Sequence, residues 1–415
     1  MTTLRTLREV DDPLGSYLRV SYRDTQFLGQ MLVDGRPVGT GLIADPSLTN
    51  AQRDLWIEAH GRGVETVLDT RALDLSTMGG FERSGARDLP WAGQRPHGPP
   101  DLVGIGARRV VEQIAEEAAN VNHSAVLAPT HLVEQSDDEW LDVDSGLTVG
   151  LRKTLDDRDL TDRPIYYPLI VRGEQFYDAK WRASIIARLA RLPIDAVWLR
   201  IHPFGTNRSG PLVLKRYLRA CRDFHALNLP LVGEHTGTIG VALAAFGAIG
   251  GVESGVTVVD HTDLTNWLRP PRKGQGGGPS ARIYLQELGC FIDRKKAERL
   301  FDRPGMKPAH ACRDSTCCRN GWRDTRKSYR EHFVVQRTME VAGLSRVPSS
   351  LRPGHYMESF LRPASDAVER VTAVEESLEP IRTQLNSWRG TFGADQAEHS
   401  DFTFSPPAAG RRRTA

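Results

Sequence analysis

The sequence lacks the features that direct a protein into a membrane or out of the cell. No apolar run in its 415 residues approaches the roughly 18 residues of a membrane span. The N-terminus, MTTLRTLREVDD, lacks the apolar core of a signal peptide. Cysteine is also scarce, because the chain has five, an odd number that argues against a disulfide framework. These absences predict a cytoplasmic protein with no membrane partner.

The whole chain has no large excess of positive or negative charge, but one segment does. The formal net charge is +2, so the total charge requires no polyanionic partner. Residues 294–337 nevertheless carry 13 Lys and Arg against 5 Asp and Glu. A run of this kind is usually a solvated face, but its size here favours contact with a phosphate backbone. We therefore expect nucleic acid as a partner.

Short apolar runs followed by helical patterns predict the fold. Each of five runs reads as a buried strand: ETVLDT (65–70), SAVLAPT (124–130), PIYYPLIV (164–171), DAVWLRIHPF (195–204) and LPLVGE (229–234). This alternation predicts parallel strands with crossover helices. A closed (β/α)8 TIM barrel is favoured over an open doubly wound sheet. No G-x-G-x-x-G follows the first predicted strand, which weakens the dinucleotide-binding alternative.

The composition of the sequence changes after the predicted barrel. We predict a catalytic barrel over residues 1–290, a basic zinc-binding subdomain with a closing helix over 291–365, and a C-terminal helix with a disordered tail over 366–415. The Pro- and Gly-rich stretch RPPRKGQGGG (269–278) is a flexible basic loop, either beside the substrate or a passive linker.

Polar residues at the predicted strand ends are the candidates for chemistry, because barrel enzymes react at the C-terminal ends of their strands. These candidates are Asp69, Thr130, His131, Arg172, Gly173, His202, Glu234 and His235. His202 and His235, with Glu234, Asp260 and His261, could alternatively hold a catalytic metal, which would indicate a metal-dependent hydrolase. Histidines at such places more often form hydrogen bonds or contact substrate.

The stretch HACRDSTCCRNGW (310–322) gathers three of the five cysteines. Zinc takes about four thiolate and imidazole ligands in tetrahedral array. Cys312, Cys317 and Cys318 supply three, and His310, His332 and His355 are candidates for the fourth. The C-x4-C-C spacing is not a standard zinc knuckle, but its polar surroundings disfavour a core role. No C-x-x-C begins a helix, so a redox role is less favoured than zinc.

The order of these parts resembles the tRNA-guanine transglycosylase family, which includes paralogues that insert 7-deazaguanine bases into DNA. VLDTRALDLS (67–76) is similar to the family's strand that ends in a conserved acid, which places Asp69 there. GVALAAFGAIGGVESGV (240–256) is similar to the segment that leads to the nucleophile, with Glu253 nearest that position. YREHFVVQRTMEVAGLSRVPSSLRPGHYMESFLRPAS (329–365) is similar to the segment after the zinc cysteines, with His355 as the zinc ligand and His332 as a non-ligand.

The resemblance implies exchange of guanine for a 7-deazaguanine in nucleic acid, with DNA favoured over tRNA. Asp69 would be the acid–base group and Glu253 the nucleophile, although Asp260 is an alternative nucleophile. The implied zinc ligands are Cys312, Cys317, Cys318 and His355, with His310 as a possible substitute. The implied substrate contacts are Thr130, His131, Arg172, Gly173, His202 and Glu234. The family's homodimers suggest a homodimer here, or a partner in a modification complex.

This sequence departs from the family pattern at several of its motifs. Ser-Gly-Gly-Phe after the conserved acid is replaced by residues 70–73, Thr-Arg-Ala-Leu, and Glu253 stands where the family has Asp. The expectation is therefore a divergent paralogue with an altered base or polymer substrate. A non-catalytic nucleic-acid-binding barrel that keeps the zinc module is the alternative, followed by the metal-dependent hydrolase.

Overall fold

The computed structural model describes residues 14–399, apart from 136, 207, 258–259 and 271–280. Most of the predicted basic loop at 269–278 and the predicted disordered tail from residue 400 onward lie outside the described residues. Among the described helices, none is long and apolar enough to cross a membrane.

Eight parallel strands form a closed barrel, because β1 pairs with both β2 and β8 and every other strand pairs with its neighbours in chain order. The strands are β1 (Gly15–Arg19), β2 (Gly41–Ala44), β3 (Glu65–Leu68), β4 (Ala125–Leu127), β5 (Ile165–Arg172), β6 (Ala196–His202), β7 (Leu231–Gly233) and β8 (Gly251–Gly255). The predicted (β/α)8 TIM barrel is confirmed. The five predicted strands are β3 to β7, whereas β1 and β2, of five and four residues, precede them and were not predicted.

Helices surround the barrel and continue beyond it. The longer helices are α1 (Thr25–Val33), α2 (Arg53–Gly61), α3 (Ile105–Asn120), α4 (Glu139–Asp156), α5 (Ala179–Leu189), α6 (Pro211–Phe224), α7 (Thr238–Ala245), α8 (Tyr329–Ser345), α9 (Arg362–Thr372) and α10 (Glu379–His399). Shorter helices span Ala72–Ser76, Met78–Phe81, Gly173–Tyr177, Thr265–Leu268, Arg294–Asp302, Met306–His310, Trp322–Lys327 and Arg352–Tyr356. A hairpin of Arg282–Leu285 and Cys290–Asp293 precedes the cysteine segment.

Side-chain alternation along the strands divides the barrel interior into an apolar layer and a polar layer. Trp198 of β6 is fully buried inside, with its ring centroid 5.0 Å from that of Tyr17 and 5.8 Å from that of Tyr166. Because the strand period is two, Arg200 and Arg19 point the same way as Trp198 and Tyr17 but lie closer to the C-terminal mouth. The barrel therefore presents charged side chains on top of an aromatic floor.

Helix α8 packs against β1 and supplies the eighth helix of the barrel. Its buried Phe333 belongs to one apolar cluster with Leu18 of β1 and Leu28 of α1. At the other end of α8, Ser345 Oγ accepts a hydrogen bond of 2.7 Å from the backbone N–H of Leu14. The barrel is thus completed by a helix from within the segment that was predicted as a separate subdomain over 291–365.

Candidate active site and metal centre

One guanidinium joins three carboxylates at the C-terminal mouth of the barrel. Arg19 of β1 contacts Glu234 at 2.8 Å and Glu253 at 3.2 Å, and also pairs with Asp69. Arg200 of β6 forms a second ion pair with Glu234. Asp69 follows β3, Glu234 follows β7 and Glu253 lies within β8, so with Arg19 and Arg200 five strands and their ends build the cluster. The two predicted catalytic carboxylates are therefore neighbours, close enough for a single side chain to bridge them.

The two predicted catalytic carboxylates differ in protonation. Burial opposes ionisation of Asp69, but the charges of Arg19 and Arg200 outweigh it and leave the pKa of Asp69 below its usual range. Burial, with the nearby charge of Glu234, raises the pKa of Glu253 to about 7, although Arg19 acts in the opposite sense. The side chain of Asp69 is 12% exposed and that of Glu253 is 0% exposed. Near neutral pH, Asp69 is an accessible anion and Glu253 a buried acid that is partly protonated.

His235 lies between the buried acid and the mouth. Its backbone N–H donates to Glu253 Oε2 at 2.7 Å, and its Nδ1 lies 3.5 Å from the same oxygen. Burial lowers the pKa of His235 well below its usual value, so its ring is neutral. The ring is 13% exposed. His235 is placed to pass a proton between Glu253 and a molecule in the mouth.

Asp69 is held from its other side by Arg71. The backbone N–H of Arg71 donates to Asp69 Oδ1 at 2.8 Å, from a left-handed conformation with φ of 52° that is unfavourable for this residue type. The Arg71 guanidinium is fixed by Asp74 at 2.8 Å and by Asp45 at 3.2 Å. Two independent donors, Arg19 and Arg71, therefore set the orientation of the Asp69 carboxylate.

The predicted substrate contacts divide into three groups. Glu234 is part of the charged cluster, and Arg172, Gly173 and His202 line a cleft beside it. Thr130 and His131, at 2% and 1% exposed, instead hydrogen-bond within the protein.

Those internal bonds use the polar atoms that a substrate would need. Thr130 donates to the backbone oxygen of Pro168 at 2.7 Å, and His131 Nδ1 lies 2.5 Å from Asp144. The structure therefore does not bring Thr130 and His131 to the mouth, contrary to the expectation from sequence.

Sequence reasoning missed the two arginines that organise the site. Arg19 could not be found because β1 itself was not recognised. Arg200 had a usable signal, since it alternates with Trp198 and His202 along the predicted strand DAVWLRIHPF and so shares their inward face. Arg71 offered no signal, because its role depends on a backbone conformation.

Three thiols and one imidazole form a second cluster between β8 and α8. Sγ of Cys312 lies 3.7 Å from Sγ of Cys317. His332 Nδ1 lies 3.5 Å from Cys317 Sγ and 3.3 Å from Cys318 Sγ, and the four ligand atoms all lie within 4.8 Å of one another. Bonds of about 2.3 Å to sulfur and 2.1 Å to nitrogen predict tetrahedral edges of about 3.5–3.8 Å. The donor set and its spacing therefore fit a zinc ion.

Neighbouring groups orient these ligands for a metal. His332 Nε2 donates to the backbone oxygen of Tyr284 at 3.1 Å, which leaves Nδ1 with a free lone pair that faces the thiols. Gln336 donates to Cys317 Sγ at 3.3 Å. Hydrogen bonds from Cys317 and Cys318 lower the pKa of the Cys312 thiol, whereas the contacts with Cys312 raise the pKa of the Cys317 and Cys318 thiols. The site has the outer contacts expected of a structural metal centre.

The sequence-based choice of the fourth ligand is corrected by this geometry. His332, in the first turn of α8, completes the cluster, and His355 does not. Helix α8 has 17 residues and is about 25 Å long, and His355 follows its far end, where it contacts Ser359 and Phe360. His310, the possible substitute, is buried beside Cys312 but lies outside the group of four.

A metal at the barrel mouth is disfavoured by the arginines. Glu234, His235 and Glu253 lie close enough to share an ion. However, Arg19 and Arg200 place two positive charges on Oε1 of Glu234 and Oε1 of Glu253, which would repel a cation, although Glu234 Oε2 has no hydrogen-bond partner among the described residues. The other expected candidate, Asp260, pairs with Arg282 at 2.9 Å and His261 at 3.1 Å and is not among the carboxylates that Arg19 joins.

Comparison with known proteins gives similarity in fold alone. No family model and no curated protein matches the sequence. Among solved structures, a GH18 chitinase from Pseudoalteromonas aurantia matches at 11% identity and a TM-score of 0.38, covering 58% of this chain and 93% of that one. Xylanase B from Clostridium stercorarium F9 matches at 11% and 0.37, covering 60% and 87%. A putative phosphonomutase from Burkholderia cenocepacia J2315 matches at 14% and 0.33, covering 60% and 90%. At these values the likeness carries no argument about function.

Proposed function

We propose that this protein is a transglycosylase that exchanges guanine for a 7-deazaguanine base in nucleic acid. The observation that carries the proposal is the pair of carboxylates at the mouth, Asp69 and Glu253, whose environments separate their pKa values. Displacement at a sugar carbon with a covalent intermediate needs one ionised and one protonated carboxyl group. The resemblance of the strand-end segments to the transglycosylase family supports a nucleoside as the substrate.

The electrostatics favour Asp69 as the nucleophile and Glu253 as the acid, which reverses the roles expected from sequence. The ionised and accessible Asp69 attacks C1′ and forms an ester as the bond to guanine breaks. Glu253 gives its proton, through His235, to the departing guanine. The incoming base then attacks C1′, releases the Asp69 carboxylate and returns its own proton to Glu253 by the same route. Arg19 contacts both carboxyl groups and so fixes their positions relative to each other, with C1′ to lie between them.

The surface around the metal centre supports a polynucleotide substrate. Six exposed basic side chains in this segment have no ion-pair partner among the described residues: Lys295, Arg299, Lys307, Arg319, Arg323 and Lys327. Such groups bind phosphates without reading the sequence. The metal would hold this basic segment against α8, and it takes no part in the displacement.

A non-catalytic nucleic-acid-binding barrel is the second candidate. The observation in its favour is that Arg19 neutralises Asp69, the nucleophile assigned above. In that case the cluster would be a structural ion-pair network and only the basic surface would act. The metal-dependent hydrolase is less favoured, because the charges of Arg19 and Arg200 beside Glu234 and Glu253 would repel a cation.

The deciding experiment is exchange of radiolabelled guanine into double-stranded DNA and into tRNA by the purified protein. We expect incorporation into DNA at a higher rate than into tRNA. A covalent protein–nucleic acid adduct should be trapped by denaturation during turnover. Binding of both polymers without incorporation or adduct would establish the non-catalytic alternative. An adduct that survives in Asp69→Asn but is lost in Glu253→Gln would restore the sequence-based assignment of the nucleophile.

The pH dependence of the exchange rate should report the ionisation of Glu253. Because its pKa is about 7 and its protonated form is the acid, the rate should fall as pH rises through that value, approaching tenfold per pH unit above it. Glu253→Gln should lower the rate about 100-fold and remove this descending limb. A wild-type rate that does not change across neutral pH would contradict the role of Glu253 as the acid.

A further inference from the structure

A cleft of about 640 Å³ opens beside the charged cluster, over the ends of β5 and β6. Its walls carry three arginines and one histidine, which are Arg172, His202, Arg208 and Arg216. The acidic side chains on its walls are Glu174 and Asp178, and Asp178 is used as the N-terminal cap of α5, where it accepts from the backbone N–H of Trp181 at 2.7 Å. The cleft is therefore a net cationic site.

His202 lines this cleft, but its ring is held by the segment that follows β8. Its Nδ1 accepts a hydrogen bond of 3.0 Å from the backbone N–H of Leu264, and the ring also hydrogen-bonds to the backbone of Thr262. The residue is 8% exposed. Burial lowers the pKa of His202, which keeps the ring neutral. The groups of the cleft that can bind an anion are therefore its arginines.

Two of the three arginines are held in place by carboxylates and one is free to bind. Arg172 Nε donates to Glu134 at 2.7 Å, and Arg208 Nη2 donates to Asp263 at 3.0 Å. Arg216, exposed on α6, has no ion-pair partner among the residues that the structure describes. It is the cleft arginine with its full charge available to a ligand.

The cleft is connected to the charged cluster through β6. His202 lies two residues beyond Arg200 on the same face of the strand, about 6.6 Å further along it. Arg172 is the register partner of His202 on β5. The cleft therefore adjoins the charged cluster, and a polymer bound with a sugar at Asp69 would extend a neighbouring phosphate towards it.

We propose that this cleft binds a phosphate group of the substrate, with Arg216 as its direct donor. The proposal rests on the proposed function for the polymer as the source of that phosphate. The same phosphate chemistry could come from a free nucleotide, and the experiment separates the two sources.

The test measures binding of a fluorescent single-stranded oligonucleotide by anisotropy over a series of salt concentrations. Arg216→Ala should weaken binding about tenfold and reduce the slope of log K against log salt by about one. Arg219→Ala is the matched control, because Arg219 is exposed one turn along the same helix but does not line the cleft. Equal effects of the two variants, or none, would overturn the proposal.

Competition with a nucleoside monophosphate identifies the source of the phosphate. If binding of the oligonucleotide depends on Arg216 and the monophosphate does not displace the oligonucleotide, the polymer supplies the phosphate. If the monophosphate binds in an Arg216-dependent manner and the oligonucleotide does not, the polymer assignment is wrong. Arg216-dependent binding without any base exchange would reject the proposed function and leave the phosphate cleft standing.

Discussion

Asp69→Asn is expected to lower the rate of guanine exchange at least about 1000-fold and to abolish the covalent adduct. The amide keeps the size of the side chain and can still accept from Arg19 and from the backbone N–H of Arg71. It cannot form a glycosyl ester, because the amide oxygen is a much weaker nucleophile than a carboxylate. A loss of this size corresponds to about 4 kcal/mol of transition-state stabilisation. Incorporation is measured with radiolabelled guanine at saturating nucleic acid.

The control for this substitution is Asp74→Asn. Asp74 pairs with the Arg71 guanidinium on the far side of the same loop and does not contact Arg19. We expect Asp74→Asn to retain exchange within about tenfold, because it affects Asp69 only through the position of Arg71. Equal incorporation by wild type and Asp69→Asn would show that the carboxylate cluster is structural.

The barrel could be predicted from sequence because it depends on a repeated pattern. Five strands of apolar residues, each followed by an amphipathic helix, imply parallel pairing whatever the details of the loops. Asp69 and Glu234 could be proposed as neighbours for the same reason, since strand ends meet at one mouth, whereas Glu253 came from the family resemblance. Strands β1 and β2 were not predicted, and Arg19, which joins the carboxylates, was missed with β1.

The roles within the site could not be predicted from residue types. Asp69 and Glu253 are both carboxylic acids, and their difference in pKa comes from burial and from the distances to Arg19, Arg200 and Glu234. Thr130 and His131 illustrate the opposite failure, because a strand-end position predicted substrate contact. Their side chains instead turn to partners on β5 and α4, Pro168 and Asp144, which are close only in the folded chain. Tertiary contacts decided each of these cases.

Loss of the metal is expected to have the largest effect on stability, and Cys318→Ala tests it. Cys318 is 1% exposed, and its thiol lies 3.3 Å from His332 Nδ1 and 3.2 Å from Thr325 Oγ1. We expect the variant to lose bound zinc and about 3 kcal/mol or more of unfolding free energy, because a structural zinc contributes its binding energy to folding. The melting temperature should fall roughly 5–10 °C. Zinc is counted by elemental analysis of the purified protein.

A comparison of His332 with His355 tests which of the two histidines is the fourth metal ligand. His332→Ala should lose zinc and stability as Cys318→Ala does, whereas His355→Ala should keep about one zinc per chain and a melting temperature near that of the wild type. Treating the wild-type protein with a chelator should lower its melting temperature to that of His332→Ala and leave His332→Ala itself unchanged. If His355→Ala loses the metal and His332→Ala keeps it, the ligand set implied by the family resemblance is right and the one built here is wrong. Because His332 lies on the helix that packs against β1, its loss should also loosen the barrel and weaken binding of nucleic acid to the basic segment, an effect that His355→Ala cannot have.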